Sequence, residues 1–137
     1  MPAAKPPLHQ ATASTPGDSF LTRIAVPGHE VASDVPVAIG GQDTAPSPMA
    51  MLTAALAACT TMTVRSYASR KGWPLESASA SVEHLAKSSD QPEHFSLSLT
   101  LKGDLTPEQA EALEAIAHKC PVHKVLSGAI DVQITKV

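Results

Sequence analysis

The sequence predicts an α+β domain, and two observations carry this prediction. Apolar residues alternate with a period of two in five segments and follow helical spacing in three others, in the order β-β-α-β-β-α-α-β. Apolar residues make up 43% of the 137 positions, but aromatic residues only 3%. We therefore expect mainly antiparallel sheet, with a core built from aliphatic and small side chains.

The N-terminal region separates into a tail and a hairpin. Residues 1–17 are rich in proline and poor in large apolar groups, which predicts a flexible tail ahead of a single domain over residues 18–137. Residues 19–26 alternate, Pro27-Gly28 signals a turn, and residues 29–33 can return as a second strand. Glycines and prolines then predict a loop over residues 35–48.

A long helix is predicted from Pro48 to Lys71. Ser47 can cap its start, and Gly72 follows its last turn. Its first four turns are small or apolar on nearly all sides, which is typical of a helix buried in a core. Because a chain of this size has little material to surround such a helix, we expect a second copy to do so in a homodimer.

The C-terminal half predicts a hairpin, two helices and a last strand. Strands are expected at 77–87 and 94–102, and Phe95, Leu97, Leu99 and Leu101 face one way in the second of them.

The first of these two helices begins with a capping box, Thr106-Pro107-Glu108-Gln109. A short helix follows from Pro121 to its end at Gly128, and residues 129–135 alternate as a final strand.

Charge and hydropathy exclude two classes of partner. The formal net charge is −3, whereas nucleic-acid binding needs a dense basic surface. Residues 44–64 are uncharged, but their helical part is shorter than the roughly 20 residues that span a bilayer. No targeting segment is visible, so we expect a cytoplasmic protein with neither a nucleic-acid nor a membrane partner.

Two cysteines are the candidates for chemistry. Cys59 falls midway along the long helix, and Cys120 precedes the short helix at Pro121. Both could be small core residues, or they could form a redox pair in which Cys120 gains from a helix N-terminus, where thiol pKa values fall. A third alternative is a zinc site that adds His118 and His123, for which the only compact element is Cys120-x-x-His123.

Three segments together resemble one family. They are GGQDTAPSP at 40–48, AALAACTTMTVRSYASRKGWPL at 54–75, and LTPEQAEALEAIAHKCPVHKVL at 105–126. In order and spacing they are similar to the OsmC/Ohr superfamily of thiol-dependent peroxidases, over about residues 18–137. The GGxDxxPSP and RKGWPL features resemble the OsmC-like branch more than the Ohr branch.

The resemblance implies a fold, a reaction and partners. It implies an OsmC-like fold in an intertwined homodimer, with Cys59 as the peroxidatic thiol and Cys120 as the resolving thiol. The substrate would be an organic hydroperoxide, fatty or aryl, and an external lipoyl-type dithiol would restore the thiols. No bound cofactor or metal is implied.

One position departs from the family pattern. Active members carry a glutamate ten residues before the first cysteine, which anchors a thiolate-stabilising arginine, and here that position is Met49. Arg23, in the N-terminal hairpin, is the candidate for the arginine. The departure leaves a second hypothesis open: a dimeric stress or binding protein of the same family with little peroxidase turnover.

Overall fold

The computed structural model describes residues 4–137 of the chain. It consists of two compact units, one ending at Met51 and the other running from Leu52 to Val137. The strands are β1 (Thr12–Ser14), β2 (Thr22–Val26), β3 (His29–Ser33), β4 (Leu75–Leu85) and β5 (His94–Gly103). The helices are α1 (Pro48–Lys71), α2 (Pro107–Ala117) and α3 (Pro121–Ser127), with a 3₁₀ turn at Val37–Ile39. The order β-β-β-α-β-β-α-α, with all strand pairs antiparallel, is that of an α+β fold.

The first unit contains a three-stranded antiparallel sheet in the order β1-β2-β3. The β2–β3 hairpin pairs Ile24 with Val31, as the alternation and the Pro27-Gly28 turn predict. The added strand β1 lies within the segment that we predicted to be a flexible tail. Its side chains are exposed, so backbone pairing along the edge of β2 orders it rather than apolar burial.

Asp34 organises the loop that follows β3. Its side chain is 2% exposed and accepts hydrogen bonds from the Thr44 hydroxyl at 2.7 Å and from the backbone N–H groups of Val35, Gln42 and Thr44. These bonds, the Thr44 hydroxyl foremost, hold the pKa of the Asp34 carboxyl below its usual range. The loop is thus closed around an ionised carboxylate.

Helix α1 begins and ends where the sequence predicts. The Ser47 hydroxyl accepts a hydrogen bond from the Ala50 N–H at 3.2 Å, and Gly72 follows the last turn with φ +69°. Within one chain the helix is buried along a single stripe, Leu56, Thr60, Val64 and Ala68. The nearly all-round burial expected from composition is not reached here, because other apolar side chains such as Met62 remain exposed.

The second unit is built on the antiparallel β4–β5 hairpin. It begins two residues earlier than predicted and pairs Val82 with Leu97 and Ala80 with Leu99. A break in the register lies between Leu75 and Ser77, opposite the end of β5. Gly103 ends β5 with φ +139°, and a Cβ there would collide with the Pro74 carbonyl oxygen.

Helix α2 closes the core of this unit. The predicted capping box is present, with the Thr106 hydroxyl accepting from the Gln109 N–H at 3.1 Å while the Gln109 side chain accepts from the Thr106 N–H. The fully buried Leu113 packs in a cluster with four further buried residues, Val64, Ala68, Leu75 and Ala117. The core is therefore aliphatic, as the composition requires.

The predicted last strand at residues 129–135 was wrong for the single chain. The segment forms no strand, and Ile130, Val132 and Ile134 are 57%, 77% and 92% exposed. Alternation supplies the side-chain pattern of a strand, but a strand also needs a neighbouring backbone to pair with. None of β1–β5 pairs with this segment.

Over residues 4–137, no helix is both long and apolar enough to cross a bilayer. This agrees with the sequence estimate for residues 44–64, whose helical part from Met49 contains nine alanine and threonine residues.

Candidate active site

The fold brings the two cysteines together. Cys59 lies on α1 and is half-buried, whereas Cys120 is fully buried between α2 and α3. They are 61 positions apart in the sequence, yet the Cys59 thiol lies near enough to Cys120 to act on its pKa, and both thiols remain free. The side chain of Cys120 is buried on the same side as the core-facing residues of α2. Leu113, Ala117 and Cys120 follow helical spacing, and all three are buried.

The surroundings of Cys120 act on its charge in opposite directions. It is the residue before the first turn of α3, as predicted, and the backbone N–H groups of His123 and Val122 favour its thiolate. Burial is the larger effect and raises the pKa of the Cys120 thiol, and the neighbouring Cys59 thiol raises it further. The expectation that the helix N-terminus would lower this pKa overall was therefore wrong, because burial outweighs it.

The candidate arginine, Arg23, has another partner. Its guanidinium lies 3.4 Å from the Glu30 carboxylate across the β2–β3 hairpin, and both side chains are largely exposed. Met49, at the position of the family glutamate, is 45% exposed in the first turns of α1. Arg65, further along α1, donates to the backbone carbonyls of Leu75 and Glu76 at 2.7 and 2.9 Å and so ties α1 to β4.

The histidines near Cys120 do not assemble a metal site. His118 and His123 face each other edge to face with ring centroids 5.6 Å apart, and His123 Nδ1 lies 3.5 Å from the Ser127 hydroxyl. In the part of the chain that the structure describes, no three His, Cys, Asp or Glu side chains are grouped to hold a metal ion. The zinc alternative thus lacks a ligand set there.

A cavity of about 790 Å³ lies within the second unit, and neither cysteine is among the residues that line it. Its floor is the face of β5 that the alternation predicts, Phe95, Leu97, Leu99 and Leu101. Thr60, next to Cys59, and His118 and His123, on either side of Cys120, also line it. The period of two indicated the apolar face but not the enclosure, because α1, α2 and α3 supply the other walls.

The fold and the site define a class: an α+β protein with one thiol on a long helix and a second thiol held against it by a helix junction. Among proteins with such a fold, the OsmC-like protein family matches residues 41–135, more than half of the sequence. The chain belongs to this family.

Solved structures agree with the assignment. An OsmC-like protein from Mycoplasma pneumoniae is 19% identical with a TM-score of 0.69, and the alignment covers 88% of this chain and 87% of that one. An organic hydroperoxide resistance protein OsmC from Legionella pneumophila is 25% identical with a TM-score of 0.65, covering 95% and 96%. OhrB of Bacillus subtilis, an organic hydroperoxide resistance protein, is 24% identical with a TM-score of 0.59, covering 91% and 94%. Comparison with curated proteins finds no relative by sequence.

Proposed function

We propose that the chain is a cytoplasmic thiol-dependent peroxidase that reduces organic hydroperoxides to alcohols. The observation that carries this proposal is the pair of neighbouring free thiols contributed by Cys59 and Cys120. Two thiols so placed can form a disulfide after only small movements, which a two-electron reduction of a peroxide requires. Membership of the OsmC-like family and the hydroperoxide resistance proteins among its structural relatives support the same reaction.

The reaction divides into three steps. The Cys59 thiolate attacks the peroxide O–O bond, which leaves a sulfenic acid on Cys59 and an alkoxide that takes up a proton to become an alcohol. The Cys120 thiol then attacks the sulfenic sulfur, forming the Cys59–Cys120 disulfide and releasing water. An external dithiol of the lipoyl type reduces this disulfide by exchange and becomes a disulfide itself.

Burial supports this division of roles between the cysteines. Cys59 is half-buried and so is open to a peroxide, whereas Cys120 is fully buried. Burial raises the pKa of the Cys120 thiol and so disfavours its thiolate, which is the form of a thiol that attacks a peroxide. Cys59 is therefore the thiol that meets the substrate, and Cys120 is the thiol that resolves the intermediate.

Met49 favours a second candidate, a dimeric stress or binding protein with little turnover. A methionine provides no carboxylate to hold an arginine near the thiol, and Arg23 already pairs with Glu30 at 3.4 Å. In this alternative the thiol pair is retained but its thiolate is less stabilised, so peroxide reduction is slow.

Intact mass after one equivalent of cumene hydroperoxide tests the thiol pair. We expect each chain to lose two hydrogens, as a Cys59–Cys120 disulfide requires, and Cys120→Ser to gain one oxygen instead. An oxygen adduct on the unsubstituted chain, with no disulfide, would contradict the resolving role of Cys120.

The rate of disulfide formation should depend on pH. Because the pKa of Cys120 is raised, its thiolate fraction below that pKa grows with pH. The disulfide step should therefore accelerate by about tenfold per pH unit through the neutral range.

We further propose that the chain is a homodimer. The exposed apolar side chains support this: Met62 on α1 is 68% exposed, and the segment after α3 leaves Ile130 and Ile134 uncovered. Light scattering after size exclusion should give twice the chain mass, and Met62→Lys should weaken association more than Ser89→Lys, an exposed change between β4 and β5. A monomer at micromolar concentration would contradict the proposal.

A further inference from the structure

One edge of the three-stranded sheet is formed by a strand of only three residues. The strand β1 pairs with the middle of β2, where Ala13 lies opposite Ile24. All three of its side chains are exposed, and among residues 4–137 no further strand pairs with its outer side. One side-chain contact follows it, between the hydroxyl oxygens of Thr15 and Thr22 at 2.6 Å. Backbone pairing therefore attaches β1 to the sheet.

The geometry of the β2–β3 hairpin decides which backbone groups β1 covers. Val26 and His29 flank the two-residue turn, so their backbone groups face each other across the hairpin. Because the hydrogen-bonding direction alternates along an antiparallel strand, the N–H and C=O groups of Arg23 and Ala25 point away from β3. Without β1, these groups would form an open edge of the sheet.

An open β2 edge would be a good template for another strand. Its sequence is TRIAV, in which three of the five residues are β-branched and one is charged. The strand β1 is a poorer template, because it is shorter and has Pro16 close after it and Pro6 and Pro7 before it. Short edge strands and prolines are means by which proteins prevent edge-to-edge pairing of sheets.

We propose that β1 is a guard strand, which occupies the outer edge of β2 and keeps this edge from pairing with β2 of a second copy. Two copies of β2 can pair antiparallel about a twofold axis with Ile24 opposite Ile24. Arg23, the only charged residue of β2, would then lie opposite Ala25, so like charges would not oppose the pairing. This contact involves the first unit alone and is independent of the proposed reaction.

Releasing β1 in the full-length chain tests the proposal. Thr12 and Ser14 pair with Ala25 and Arg23, so Thr12→Pro combined with Ser14→Pro removes the β1 N–H groups that face β2. Size exclusion with light scattering should then give at least about twice the mass of the unsubstituted chain, rising with concentration. Ala13→Pro is the matched control, because its N–H points away from β2, and its mass should equal that of the unsubstituted chain.

Two further substitutions in the released chain identify the edge that associates. Ala25→Pro removes an N–H from the outer edge of β2 without touching the β2–β3 ladder, so the mass should return to that of the unsubstituted chain. Ala32→Pro makes the same change on the opposite edge of the sheet. Ala32 pairs with Arg23, so its backbone groups also point out of the hairpin, and the larger assembly should persist.

Three results would overturn the proposal. They are an unchanged mass after release of β1, a larger mass that persists with Ala25→Pro, and an equal increase for Ala13→Pro. Aggregation through unfolded chains gives the second of these results, since it does not depend on the β2 edge. The melting temperature of each variant shows whether the chain is folded.

Discussion

Replacing Cys59 with serine should reduce the rate of cumene hydroperoxide consumption by roughly three orders of magnitude or more, the scale of removing a nucleophile. A serine hydroxyl has no accessible anion at neutral pH and cannot form a sulfenic acid. The assay follows peroxide loss with dihydrolipoamide as the reductant. Half-buried Cys59 is the only one of the two thiols with surface open to a substrate.

Two variants make this assay discriminating. Cys120→Ser should turn over more slowly than the unsubstituted chain, because the dithiol must then reduce the Cys59 sulfenic acid directly instead of the Cys59–Cys120 disulfide. Ser66→Ala, an exposed change elsewhere on α1, should match the unsubstituted chain. If Cys59→Ser is as fast as the unsubstituted chain, the peroxidase proposal fails and the low-turnover stress or binding protein is favoured.

Leu113→Ala should lower the free energy of unfolding by about 2–5 kcal/mol. Leu113 is fully buried and is among the largest side chains in the α1–α2–β4 core, where Val64, Leu75 and Ala117 surround it. Truncation removes apolar contacts and leaves a cavity that these neighbours cannot fill. Urea denaturation followed by circular dichroism measures the change.

Val125→Ala is the matched control for this prediction. Val125 is on α3 and is 54% exposed, so its truncation should cost less than about 1 kcal/mol. A loss for Leu113→Ala no larger than that for Val125→Ala would show that the α2 stripe does not form the centre of the core.

Local signals predicted most of the fold. The limits of α1 follow from Ser47, Pro48 and Gly72, and the start of α2 follows from the capping box at Thr106, since each motif acts within one turn of the helix. The segment at 129–135 could not be settled in this way. Its alternation records which side chains share a face but not whether a backbone lies alongside.

The site was predictable in its residues but not in its electrostatics. The two cysteines were identified by the resemblance, because nothing local relates positions 59 and 120. The direction of the Cys120 pKa shift depends on how much protein surrounds the sulfur, which only the packed α2–α3 junction determines.

The end of β5 has a consequence for sequence divergence. Any side chain at Gly103 would collide with the Pro74 carbonyl oxygen. We therefore expect glycine to be kept at this position even among structural relatives that are only 19–25% identical in sequence. Gly41 is closed in the same way by the Val35 carbonyl oxygen in the loop around Asp34. The pair gives a criterion for recognising remote sequences that share this chain's local geometry: a glycine at both positions, or a compensating deletion in the segment opposite.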